Sequence, residues 1–193
     1  MLGHDFHNAD ERETGMIVFH VAVTTSNDYV SRREPHRRDH LGRLQGLRAN
    51  GICIGGGPAV DGKSADLFYR LQQPAQLKHA IEEDPYWIAG AWTKYEPRSF
   101  SQFVEPWGLV DLVLDGSRRV TIVEGPVVEP EMAQFALIEM RGAGRVAFGG
   151  FFEDGQTLAL ANSADADEAR RWFEDTGFWA SDRLTTRPLL YVL

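Results

Sequence analysis

The 193-residue chain is 43% apolar and 25% charged, a balance that excludes disordered and fibrous classes and allows one large or two small globular domains. A formal charge of −8 argues against nucleic acid and anionic membranes as partners, and no apolar run is long enough to span a bilayer. The single cysteine, Cys53, excludes an intramolecular disulfide framework and fits a reducing, cytoplasmic setting; between Ile52 and Ile54 it reads as a small core residue.

Residues 1–15 are rich in His, Asp, Glu and Asn and carry no secretory pattern; they are expected to be a mobile tail, with His4 and His7 solvated. Residues 16–24 are β-branched and apolar, which predicts a strand. A helix follows from about residue 31, apolar at Leu41, Leu44 and Leu47, and stops at Asn50-Gly51. Its basic start, residues 32–38, is either an anion-attracting rim or a solvated helix face. A short strand over 52–56 ends at Gly57-Pro58, Asp61-Gly62 is a turn, and 67–71 alternates as a further strand. Pro74 opens a second helix with Leu77, Ala80 and Ile81 inward, which ends before Pro85, and residues 91–100 return as a strand.

Beyond this point the pattern starts again. Asp115-Gly116-Ser117 is a hairpin turn between 109–114 and 120–124. We take 120–124 as the first strand of the repeat and 105–116 as a linker or extra ribbon. A helix over 130–141 follows, then one from the N-cap candidate Ser163 with Ala169, Trp172 and Phe173 buried. Shifted by 93 positions, residues 44–62 match 137–155 at Leu44/Leu137, Arg48/Arg141, Gly51/Gly144, Gly56/Gly149, Gly57/Gly150, Asp61/Asp154 and Gly62/Gly155. Such a register marks a duplication. The expected organisation is a tail over 1–15, one α+β unit over 16–104 and a second, degenerate unit over 117–193. A β-α-β-β-α-β sheet with both helices on one face leaves the other face apolar, so the two faces should press together within one chain. The fold class is therefore α+β: two ferredoxin-like units in tandem forming a pseudo-dimeric barrel, open to further homodimerisation.

In the first unit His40 precedes Leu41, Leu44 and Leu47 on the first helix, Gly57-Pro58 follows the second strand, and Asp84-Pro85-Tyr86, with Ala89-Gly90, follows the second helix. This order resembles the YciI-like family over residues 16–104, and residues 117–193 resemble it only through the duplication. The resemblance implies ferredoxin-like subunits paired into α+β barrels and a site formed by a histidine and an aspartate, which fall here on His40 and Asp84.

The residues themselves lead to the same pair. His40 lies on the inward stripe of its helix and must find a hydrogen bond, a charge or a polar cavity. Asp84, at the last turn of its helix, would be disfavoured by about 0.3–1 kcal/mol, which a nearby His40 would offset. The structural alternative is a satisfied core histidine and an aspartate that caps the next turn. In the second unit Ala133 replaces His40 while Asp175 remains, so one site per chain is expected.

His36, Gly57, Pro58, Tyr86, Trp87 and Trp92 are the candidate substrate contacts, Tyr95 being a further aromatic that either lines the pocket or belongs to the core. The rival metal reading sets His36 and His40 four apart with Asp39 or Asp84, but no further His or Cys cluster supports it, and neither a metal nor a cofactor is called for. The expected function is proton transfer on a small molecule by a His–Asp acid/base pair, of isomerase, lyase or cyclase type. The alternatives are a non-catalytic binding protein and, by fold analogy, a cofactor-independent oxygenase.

Overall fold

The computed structural model describes residues 15–190, so the expected tail lies outside the described residues except for Gly15. The first unit comprises β1 (Ile17–Thr25), α1 (Tyr29–Arg33), α2 (Arg37–Ala49), β2 (Cys53–Pro58), β3 (Ser64–Leu71), α3 (Ala75–Glu82), α4 (Pro85–Ile88) and β4 (Trp92–Ser99). The short β5 (Gln102–Val104) leads away from it. The second comprises β6 (Val120–Pro126), α5 (Pro130–Gly142), β7 (Val146–Phe151), β8 (Gln156–Ala161), α6 (Ala166–Glu174) and β9 (Thr185–Leu189).

Three local expectations need correction. The single first helix is broken into α1 and α2 by a 3-10 turn at Glu34–His36, because Pro35 has no N–H to continue the ladder. The turn at Asp115-Gly116-Ser117 forms, with the Ser117 N–H donating to Asp115 Oδ1 at 2.8 Å, but residues 109–114 form no strand before it. The cap of α6 is Asp165 and not Ser163: the Asp165 carboxylate accepts the N–H groups of Asp167 and Glu168, while the Ser163 hydroxyl donates to Glu168 at 2.6 Å.

Both sheets are antiparallel, with orders β2-β3-β1-β4 and β5-β7-β8-β6-β9. The run β7-β8-β6-β9 repeats β2-β3-β1-β4 element for element. The matched residues of the repeat do the same work in each copy. Gly51 and Gly144 take positive φ (69° and 74°) just past α2 and α5, where a side chain would be strained. Asp61 and Asp154 each accept the N–H two residues on, at 2.9 and 3.0 Å, and so fold the β2–β3 and β7–β8 turns.

The sheets close into a barrel at both edges. β4 runs on through Phe100-Ser101 into β5, which pairs with β7 of the other sheet. On the far side Ala59 bridges Leu189, and the Leu190 N–H donates to the Pro58 carbonyl at 2.8 Å. Val18, Ile54, Phe68, Ile122, Phe148 and Leu160 meet in the apolar interior between the sheets. Each such burial contributes about 1.5–3 kcal/mol, so the two units hold each other. Separate apolar layers, around Leu44 and Tyr69 in one unit and Leu137 and Phe173 in the other, lie between each sheet and its helices.

Candidate functional site

His40 enters the helix–sheet layer of the first unit on α2, one turn before the fully buried Leu44. Asp84 reaches it from the junction of α3 and α4. The expectation that Asp84 ends α3 is corrected and the capping alternative holds: α3 ends at Glu82, and Asp84 is the N-cap of α4, in an extended conformation ahead of Pro85. The carboxylate therefore sits at the favourable positive end of a helical turn, and the helix-end penalty does not arise. Asp84 Oδ1 accepts the Tyr86 N–H at 2.9 Å and lies 2.7 Å from His40 Nδ1. Both groups are buried, His40 at 4% exposure and Asp84 at 0%.

A carboxylate can only accept, so the proton of this bond belongs to Nδ1, and in the neutral imidazole the lone pair is then on Nε2. No described residue hydrogen-bonds to that Nε2. The imidazole is held flat by the Tyr86 ring, stacked at 3.7 Å and 11°, and edge-on by Trp92 at 5.2 Å. His40 then lines a small cavity together with Tyr29, Gly57, Pro58, Ala65, Leu67 and Trp92. Its volume is about 10 Å³, room for one water.

The structure thus brings Gly57, Pro58, Tyr86 and Trp92 to the pair, but not His36 or Trp87. His36 ends the 3-10 turn outside the cavity, and Trp87 packs edge-on against Tyr95, whose hydroxyl donates to Glu82 at 3.0 Å. Asp39 is exposed, and among the described residues no three His, Cys, Asp or Glu side chains gather as a metal site. Sequence reasoning missed Tyr29, the one buried residue of α1, which closes the cavity and meets Tyr86 edge-on at 6.0 Å. In the second unit Ala133 is buried where His40 would stand, and Asp175 is exposed at the end of α6.

A second His–Asp pair lies inside the barrel mouth, and nothing in the sequence reading singled it out. His20 Nε2 is 2.7 Å from Asp66 Oδ1, and Arg187 of the second unit donates to both oxygens of Asp66 at 2.6 Å. Burial pushes the Asp66 carboxyl up, but the bonds from His20 and Arg187 outweigh it and hold it below the ordinary carboxylate range. Arg98 and Arg187 also share Glu124, tying β4 to β6 and β9. The signal available was alternation: His20 falls on the same face of β1 as Val18, which is the barrel face. Cys53 is wholly buried, and burial pushes its thiol up to about 11, as befits an unreactive core residue.

The fold and the two-unit closure define an α+β barrel assembled within one chain. Among solved structures it is similar to a candidate monooxygenase from Lactobacillus acidophilus, at a TM-score of 0.57 and 10% identity, over 90% of this chain and 93% of that one. A candidate monooxygenase from Fusobacterium nucleatum is similar at a TM-score of 0.57 and 9% identity, over 93% of each chain. At such identities the likeness concerns the fold. No protein-family model matches the sequence, and no curated protein matches it either. Among the described residues no helix is long and apolar enough to cross a membrane.

Proposed function

We propose that the chain is a small-molecule enzyme in which His40 is a general base and Asp84 orients it, for a proton transfer of isomerase, lyase or cyclase type. The observation that carries this reading is the 2.7 Å bond from His40 Nδ1 to a fully buried Asp84, which leaves Nε2 as the acceptor beside the cavity. A base must accept a proton with a free lone pair, and this tautomer provides one. The rings at the cavity, Tyr29 and Trp92, with Tyr86 stacked on the imidazole itself, favour a flat substrate with a weakly acidic C–H group. The YciI-like resemblance supports the same two residues, and makes the first unit the working one and the second its structural partner.

Deuterium exchange tests the reading. Aryl ketones with a weakly acidic α C–H, incubated with the protein in D2O, should exchange that hydrogen faster with the wild type than with His40→Gln, while Asp175→Asn behaves as the wild type. Exchange that ignores the His40→Gln change would refute His40 as the base. The second reading, a binding protein that turns nothing over, is favoured by the water-sized cavity. It requires that compounds which bind the wild type show no exchange.

A further inference from the structure

The base reading needs an entrance, because a cavity of about 10 Å³ admits no substrate. Beside it lies a surface cleft of about 640 Å³, bounded by residues 24–31 and 61–63, within the range of small-molecule pockets. Among the described residues Tyr29 is the one that lines both spaces. It is also the only buried residue of α1, whose neighbour Val30 is exposed. α1 is five residues long and is cut off from α2 by the Pro35 turn. So short an element, with one buried side chain, opens at a lower cost than the sheet or α2 beneath it.

We propose that the cleft is the vestibule of the His40 site and that Tyr29 is its gate, the residue that decides what reaches the base. Swinging α1 about the Pro35 turn withdraws the ring from Tyr86 and joins cleft and cavity. The cleft offers hydrogen-bonding groups from Thr24, Ser26, Asn27, Asp28 and Lys63 beside the apolar Val30, and the cavity is lined by rings and aliphatic carbons around the His40 imidazole. The substrate class this fits is a flat, weakly acidic head joined to a polar, hydrogen-bonding tail. The inference rests on His40 being the reacting group, but access can be read without any turnover.

Diethyl pyrocarbonate, which acylates unprotonated imidazole nitrogen, is the probe, with each histidine followed by peptide mass spectrometry. In the wild type His40 should react far more slowly than His79, whose side chain is 75% exposed. Tyr29→Ala should raise the His40 rate by about tenfold or more, and Tyr29→Phe, which keeps the ring, should stay near the wild type. His20, buried on the other side of the sheet, reports whether the fold is intact. A gain confined to His40 supports the gate; no gain at His40 overturns it. Tyr29→Leu, a milder change, should fall between the two, and a rise shared equally by His20 and His40 in that variant also overturns it. In Tyr29→Ala, hydroquinone glucoside should shield His40 at concentrations where phenol does not, and equal shielding by both removes the cleft from the site. Normal gating with no deuterium exchange would leave the entrance standing and defeat only the base.

Discussion

Removing both members of the His40–Asp84 pair should cost much less than the sum of removing each. Asp84→Ala loses an N-cap to Tyr86, worth about 1 kcal/mol, and a charge-assisted hydrogen bond to His40, worth about 1.5–3 kcal/mol. It also leaves the His40 N–H buried without a partner. His40→Ala loses the same bond and strands a carboxylate that is 0% exposed with only the Tyr86 N–H as donor, which makes it the costlier change. The double variant strands neither group. Urea unfolding of the four proteins should therefore give a coupling energy of about 1.5–3 kcal/mol, well above the few tenths found for independent sites. Nitrogen-15 shifts of His40 provide the structural check: Nδ1 should carry the proton in the wild type and lose that preference in Asp84→Ala. A coupling below about 0.5 kcal/mol would mean that the two side chains do not act as a unit, and the orientation argument would fall with it.

Other consequences are as direct. Asp66 has a folded-state pKa held below its ordinary 3.8, so its contribution to stability is complete above that value and is lost as the pH falls through the lower folded value. Thermal melts between pH 2 and 5 should show a shallower acid limb for Asp66→Asn, at lower overall stability; an unchanged limb would contradict the assignment. The thiol of Cys53, wholly buried and pushed up to about 11, should ignore Ellman's reagent at pH 8 until the protein is unfolded. Cleavage of the chain between Glu105 and Arg118 should leave two fragments that stay together or aggregate, since the β5–β7 pairing and the barrel interior join them. Fragments that elute as separate soluble monomers would refute that view. Arg187→Ala should cost more stability than Lys94→Ala, because Arg187 serves buried Asp66 whereas the Lys94–Glu96 pair is exposed on both sides.

Much of this molecule was legible before folding because its demands are local. Positive φ after a helix calls for glycine whatever lies nearby, so Gly51 and Gly144 betray the repeat, and the Asp61 and Asp154 turns do the same. Apolar stripes placed Leu44 and Leu137 inward, and one such stripe marked His40 as a polar group in need of a partner. The sequence did not reveal that Pro35 would split the first helix into two, and it left open whether Asp84 ends α3 or caps the turn that follows. Those outcomes depend on where the next element packs. Nor could it assign Trp87 and Tyr95 to each other while giving Tyr86 and Trp92 to the imidazole, since all four are aromatic and lie within ten residues. The barrel mouth lay furthest from reach. Asp66 and Arg187 stand 121 positions apart, and no periodicity links them. Local sequence determines which face of a strand a side chain occupies, because the backbone alternates with a period of two. Which side chain meets it across the barrel follows from the closure of two sheets, and that is decided only when the whole chain has packed.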